Sequence, residues 1–289
     1  MGKNNLASKI LIDGGDPNET LEAKKLLGHI DGQTTNPTLI SKNPEVAKYL
    51  ASGKKLTHEE AWQRYREIAR EIAKITDGPI SLEVYANLKT PFSDMIYQAR
   101  DMFSWIPNAY IKVPCTHEGL KAAEVLKNEL RLNFTLNFSQ EQAAAVYSAS
   151  LGGKFPCFVS PFVGRIDDRG ENGMDLVKNE LQMFAKGDQH VEVLAASIRS
   201  LPHLLYALKL KSPLITLPFK VFKEWADLGF SQPEPGWEYD PGDKKLIPYR
   251  DDLTLDKPWY NYNLDHELTT VGVERFAADW DSLIQKPAV

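Results

Sequence analysis

The chain has 289 residues, 43% hydrophobic and 25% charged, an ordinary balance for a soluble globular protein with a sizeable core. Its formal net charge of −5 argues against a generic nucleic-acid binder, and no apolar run approaches the roughly 20 residues of a membrane helix. Cys115 and Cys157 are the only cysteines, too few for a disulfide scaffold. A reducing compartment is therefore expected, and the start, Met1-Gly2-Lys3-Asn4-Asn5, has no apolar signal region behind it, so the expected location is cytoplasmic.

Residues 9–13 (KILID) read as a first strand. The turn Gly14-Gly15-Asp16-Pro17-Asn18 follows, and Asn18 is expected to cap a helix with Leu21, Lys25 and Leu26 on successive turns. Residues 32–36 form a second short strand, stopped by Pro37. A long amphipathic helix runs over 57–76, where Thr57 and Glu60 have the spacing of a capping box. Residues 80–86 (ISLEVYA) are the third strand, 90–106 a helix, 109–114 (AYIKVP) the fourth strand and 117–130 a helix. The fifth strand is 132–138 (LNFTLNF), after which Ser139 caps a helix rich in Gln and Ala. The sixth is 155–163 (FPCFVSPFV), followed by a helix over 173–186. The seventh is 191–197 (VEVLAAS), followed by a helix around 202–210, and the eighth is 214–218 (LITLP).

Eight strands alternating with helical patterns predict parallel βαβ units closed into a (β/α)₈ TIM barrel. No G-x-G-x-x-G follows the first strand, which disfavours a dinucleotide-binding sheet. The expected organisation is one barrel domain over 1–289 with an extra C-terminal excursion and a terminal helix. The inserted segment, about 221–265, carries five prolines, Trp237 and Trp259, and Tyr239, Tyr249, Tyr260 and Tyr262. It reads either as an ordered excursion packed on the barrel or a neighbouring subunit, or as a surface loop. The helix over 266–285 places Leu268, Phe276, Trp280 and Leu283 near helical spacing, to cover the barrel or a partner.

Side chains alternate along a strand, so Ile111 and Val113 share one face of the fourth strand while Tyr110, Lys112 and Pro114 share the other. A lysine buried there is disfavoured as a charged ammonium, and a neutral amine can attack a carbonyl to form a Schiff base; the alternative is a strand-end lysine reaching solvent. The same parity carries Asp13, Thr34 and Asn36, Ser81 and Glu83, Asn133, Thr135 and Asn137, and Ser160 with Phe162, while Ser197 stands at the seventh strand's end. Polar residues converging on the inner face of a barrel make a site rather than a packed core. Glu83 and Asp13 can move protons, and Thr135 can hold water. Arg165 and Arg199, with Ser197, suit a phosphate, although each arginine alone is equally readable as a surface salt bridge. The six histidines show no metal-ligand spacing, and His117 and Cys115 read as structural neighbours of the lysine strand.

Six motifs in order carry a family resemblance: Asp31-Gly32-Gln33-Thr34-Thr35-Asn36-Pro37; Ser81-Leu82-Glu83-Val84; Ile111-Lys112-Val113-Pro114 with Glu118-Gly119-Leu120; Asn133-Phe134-Thr135-Leu136 with Phe138-Ser139; Ser160-Pro161-Phe162-Val163-Gly164-Arg165-Ile166; and Ala196-Ser197-Ile198-Arg199. With Arg275-Phe276-Ala277-Ala278-Asp279-Trp280 near the end, the chain resembles the transaldolase family. The resemblance implies a Schiff-base enzyme without metal or other cofactor, moving a dihydroxyacetone unit between ketose and aldose phosphates. It would convert sedoheptulose 7-phosphate and glyceraldehyde 3-phosphate to erythrose 4-phosphate and fructose 6-phosphate, in the pentose phosphate pathway. Lys112 matches the Schiff-base lysine, Asp13 the acid/base of aldol cleavage, and Glu83 with Thr135 the pair handling the catalytic water. Asn36, Asn133 and Ser160 match residues holding the dihydroxyacetone part, with Thr34 and Phe162 beside them, and Arg165, Ser197 and Arg199 match the phosphate end. In the related fructose 6-phosphate aldolases a glutamine tends to replace Glu83 and a tyrosine Phe162, so the resemblance is nearer the transferases. The alternatives are such an aldolase or a non-catalytic sugar-phosphate binding protein. Expected partners are small sugar phosphates and a second copy of the chain in a homo-oligomer, with no nucleic acid and no membrane.

Overall fold

A computed structural model describes residues 6–285; the opening Met1–Asn5 stretch and the last four residues of the expected domain lie outside them. The elements are β1 (Lys9–Asp13), α1 (Pro17–Leu27), β2 (Gln33–Thr34), α2 (Pro37–Ser41), α3 (Pro44–Ala51), α4 (His58–Ala73), β3 (Ile80–Glu83), α5 (Phe92–Phe103), β4 (Ala109–Pro114) and α6 (His117–Leu126). They continue with β5 (Leu132–Asn137), α7 (Gln140–Ser150), β6 (Cys157–Pro161), α8 (Val163–Asp167), α9 (Gly173–Phe184), β7 (Val191–Ala195), α10 (Leu201–Lys209), β8 (Leu214–Leu217), α11 (Phe219–Asp227) and α12 (Glu267–Asp281). The strands form a closed parallel barrel in chain order, sealed where β8 pairs with β1. This is the (β/α)₈ barrel the alternating pattern predicts. No described helix is long and apolar enough to cross a membrane.

Period-two alternation sorts the barrel into layers. Leu11, Tyr110, Phe158, Leu194 and Leu214 point inward and cluster, with Tyr110 stacked on Phe158 at 4.3 Å between ring centroids. Two residues further along their strands, on the same face, stand Asp13, Lys112, Ser160 and Thr216. The floor of the barrel is thus apolar and its C-terminal end polar. The opposite parity (Ile10, Ile12, Ile111, Val113, Leu132, Phe134) is buried under the helices.

Capping explains several helix starts. Thr57 and Glu60 form the reciprocal capping box, and Ser139 accepts from Gln142 N. Asn18, however, is not the cap of α1: Asp16 holds that position and accepts from Asn18 N, because Pro17 lacks an N–H and occupies the first turn. The loop assigned to 221–265 also begins later than expected, since α11 occupies its first residues.

Beyond α11 the chain runs as an ordered strap around the outside of the barrel. Tyr239 stacks on Tyr206 of α10 at 4.6 Å. Lys245 exchanges backbone hydrogen bonds with Gly170 and Asn172 beside α9, each 2.8 Å. Gln140 of α7 both donates to and accepts from the Arg250 backbone, each at 2.9 Å, and Trp259 Nε1 donates to Glu124 of α6 at 3.2 Å. The strap delivers α12 to the C-terminal mouth, where Thr269 Oγ1 donates to Leu136 O at 3.0 Å. Gly272 lets the helix come this close: a Cβ there would fall 2.6 Å from Leu136 Cδ2 and 2.8 Å from Arg165 Nη1.

The parity reading fails at one point. Leu136 has a left-handed φ of +58°, and the β5–β6 register shifts between Phe134 and Asn137. Leu136 and Phe138 consequently join the inner cluster, and Asn137 turns away from the barrel axis to bond Glu180 of α9. Glu180 is fully buried, and burial pushes its carboxyl well above the ordinary range. Its Oε2 meets no donor among the described residues. A carboxyl raised on folding keeps its proton in the folded state after the unfolded chain has released it, so stability falls as pH climbs above the ordinary carboxylate value. Glu180→Gln is therefore expected to melt like the parent near pH 4 and to be more stable by about 1–3 kcal/mol at pH 8. Thermal melts at the two pH values check this, and the same difference at both would contradict it.

Candidate active site

The polar end of the barrel opens into a cavity of about 260 Å³. Asp13, Thr34, Asn36, Lys112, Ser160, Phe162, Arg165, Ser197 and Arg199 all line it. Of the residues singled out in the sequence, Glu83, Asn133 and Thr135 do not reach its surface; they lie just beneath it, all but fully buried.

Strand register brings the central group together. Glu83, Lys112 and Asn133 sit side by side on β3, β4 and β5. Lys112 is 3% exposed, its Nζ lies 2.8 Å from Glu83 Oε2 and it donates to Thr35 O at 2.9 Å. The Glu83 backbone is itself anchored, its N–H donating to Tyr65 OH at 2.8 Å, and that hydroxyl lies 2.6 Å from Thr35 Oγ1. Burial raises the Glu83 carboxyl above its ordinary value, opposed chiefly by the Lys112 charge.

Asp13 approaches from β1. Its Oδ1 accepts from Thr34 Oγ1 at 2.7 Å, and Thr34 Oγ1 lies 2.6 Å from Thr216 Oγ1. Burial raises this carboxyl too, against the lowering effects of Lys112, the Thr34 hydrogen bond and Arg165. Two carboxyls thus feel the Lys112 charge, Asp13 at the cavity wall and Glu83 beneath it, and burial biases each towards its protonated form. On the far side Asn133 joins three strands, donating from Nδ2 to Ser81 Oγ at 3.0 Å and accepting at Oδ1 from Ser160 Oγ at 2.7 Å. Thr135 Oγ1 has no partner among the described residues. Asn36 lines the cavity and also caps α2, accepting from Leu39 N at 2.9 Å.

The outer part of the cavity is cationic. The Arg165 guanidinium lies between the Phe162 and Phe276 rings, 5.3 Å and 4.9 Å from their centroids. Burial first, then the neighbouring Arg275 and Arg199 charges, lower its pKa from the ordinary arginine value. Ser197 enters with a left-handed φ of +56°, which turns the chain sharply as it leaves β7. Both terminal nitrogens of Arg199 bond the Asp168 carboxylate, the surface salt bridge of its alternative reading, and the residue also lines the cavity.

Thr38, Lys42, Thr216, Arg275 and Phe276 line the same cavity without having been singled out as site residues. Thr216 obeys the parity that marks Asp13 and Lys112, since it alternates with Ile215 and Leu217, so its signal was present. Lys42 and Arg275 reach the mouth only because α2 and α12 fold over it, and nothing local to them announces that. The buried cysteines keep structural positions: burial pushes the Cys115 thiol well above its ordinary value and Cys157 up to about 12. Among the described residues no group of three or more His, Cys, Asp or Glu side chains is arranged to hold a metal ion.

The family model of transaldolase/fructose-6-phosphate aldolase matches residues 10–286. A probable transaldolase of Caldicellulosiruptor saccharolyticus is 35% identical over 280 residues, covering 96% of this chain and 99% of its own. A probable transaldolase of Heliobacterium modesticaldum is 33% identical over 96% of this chain and 100% of its own. A probable transaldolase of Thermoplasma volcanium reaches 38% identity over 74% of this chain and 86% of its own. By a match that runs through all eight strands and on into α12, the chain belongs to the transaldolase/fructose-6-phosphate aldolase family.

Proposed function

We propose that the protein is a transaldolase that transfers a dihydroxyacetone unit from a ketose phosphate to an aldose phosphate through a Schiff base on Lys112. The observation that carries this reading is the buried Lys112–Glu83 contact of 2.8 Å at the base of a cavity whose outer part is lined by arginines. Binding alone would not call for a desolvated lysine with a carboxyl at proton-transfer distance.

Glu83, raised by burial, takes a proton from Nζ, and the free amine adds to the ketose carbonyl carbon. Loss of water from the resulting carbinolamine, with the proton returned by the buried acid, gives the iminium ion; Thr135 Oγ1 is the free hydroxyl suited to hold that water. Asp13, which lines the cavity with Lys112, takes the proton of the hydroxyl next to the scissile bond. The carbon–carbon bond breaks, its electron pair passes into the iminium, and the aldose phosphate departs. The dihydroxyacetone unit stays as an enamine until a second aldehyde reverses these steps. Asn36 and Ser160 hold its hydroxyls, with Asn133 fixing Ser160 from beneath, and Arg165, Ser197 and Arg199 take the phosphate. Cleavage and re-addition by one pair of groups needs no metal or redox partner.

Incubation with fructose 6-phosphate and borohydride, followed by peptide mass spectrometry, tests the proposal. A reduced sugar adduct confined to the peptide bearing Lys112 is expected, with free dihydroxyacetone scarce when no acceptor aldehyde is supplied. Release of dihydroxyacetone without an acceptor would move the reading to an aldolase. Binding without an adduct would leave a sugar-phosphate binding protein.

A further inference from the structure

The three arginines lining the cavity have different partners. Arg165 is held between two aromatic rings, and among the described residues no carboxylate lies within 4 Å of it. Arg275 Nε stands 4.0 Å from Asp279 Oδ2, the outer limit of an ion pair. Arg199 alone is gripped from both terminal nitrogens, with Nη2 2.7 Å from Asp168 Oδ2. That fork is the one a phosphate would take, since two parallel N–H donors match two oxygens of either anion. Its stem and Nε lie close against the α8 backbone at Gly164, where a Cβ would meet Nε first and fall 2.5 Å from Arg199 Cδ. The stem and Nε are therefore held, and what can change is the partner of the two terminal nitrogens.

We infer that Asp168 is a built-in competitor for Arg199: it holds the guanidinium until a phosphate group displaces it, and reclaims it when the phosphorylated sugar leaves. The inference rests on the sugar-phosphate reading of the cavity and assigns to Asp168 the setting of affinity and release at the phosphate end. The pair suits an exchange of this kind because both side chains face water, 46% exposed for Arg199 and 57% for Asp168. Such pairs are weak, so an incoming dianion, assisted by Arg165 and Arg275 on the other walls, outweighs a single carboxylate. Asp168 also keeps a negative charge at the rim, and that charge repels the dianion once it is bound.

Calorimetric titration of the full chain with inorganic phosphate tests this, using the parent, Asp168→Asn, Arg199→Ala, the double variant and Asp279→Asn. Asp168→Asn is expected to bind phosphate about three- to fivefold more tightly, a gain of the size an exposed ion pair can supply. The gain should vanish when Arg199 is also alanine. In turnover, KM for fructose 6-phosphate should fall in Asp168→Asn while KM for fructose stays put. Unchanged or weaker phosphate binding in Asp168→Asn would overturn the inference, because Asp168 would then orient Arg199 rather than compete for it. An equal gain in Asp279→Asn would overturn it too, since any lost negative charge would then suffice. Arg199→Ala binding phosphate as tightly as the parent is a separate failure: it would remove the phosphate reading of the cavity itself.

Discussion

Lys112→Met is expected to lose turnover by at least about 10⁴-fold, the scale reached when a covalent nucleophile is deleted and only the binding site remains. Methionine fills nearly the same volume without a charge, so the barrel should still close. The cost appears in Glu83. In the parent its carboxyl is raised by burial and partly restrained by the Lys112 charge. With Nζ gone, that restraint disappears and the folded pKa climbs further. An uncompensated buried charge costs about 3–5 kcal/mol, and the carboxyl escapes the penalty by keeping its proton. A raised folded pKa means that stability is fully retained below the unfolded carboxylate value and is lost as pH rises towards the folded one. The variant should therefore resist urea like the parent near pH 4 and be markedly weaker at pH 8. Adding Glu83→Gln should remove the pH slope without restoring turnover. Urea melts at the two pH values, beside turnover of fructose 6-phosphate with an acceptor aldose phosphate, check both halves. Turnover of the single variant within tenfold of the parent would rule Lys112 out as the nucleophile.

Trp280→Ala is expected to cost about 3–5 kcal/mol of stability, the range for emptying a fully buried aromatic site. Trp280 is 1% exposed and meets Trp62 edge-on at 5.9 Å, Tyr65 at 6.2 Å and His58 at 6.5 Å. It fastens α12 to α4 at the place where Tyr65 anchors the Glu83 backbone. The substitution should consequently lower kcat several-fold as well as the unfolding midpoint, with Trp280→Phe recovering part of both. A stability loss under about 1 kcal/mol, typical of an exposed position, would mean that α12 is not docked on the barrel.

The strands were legible because each alternates large apolar residues with polar or small ones, and parity alone put Asp13, Lys112, Thr34, Glu83, Asn133 and Ser160 on the inner face. Thr216 follows the same rule in LITLP. Parity misplaced Asn137 because it assumes unbroken strand geometry, and the left-handed φ at Leu136 breaks it without any glycine to signal the turn. α2 and α3 were readable in principle: Asn36-Pro37 and Asn43-Pro44 each pair a capping side chain with a proline in the first turn. Pro37 instead read as the stop of a strand over 32–36, whereas β2 ends at Thr34 and Pro37 opens α2. The rim cations follow a different logic. Arg275 is 76 residues along the chain from Arg199 and joins it only because the strap carries α12 across the mouth. No local pattern of charges encodes a path that long.

The order in which these parts are made has its own consequence. Barrel closure waits for β8, which pairs with a strand some 200 residues earlier, and the outer wall of the cavity waits for α12 beyond it. A nascent chain on the ribosome can hold Lys112 and Glu83 long before Arg275, Phe276 and Trp280 have been translated. Contacts of such long separation form slowly, after the loops between them have been closed at an entropic cost. The Lys112 amine is thus assembled on a scaffold that is finished last, so the complete cavity arrives in one late step rather than growing with the chain.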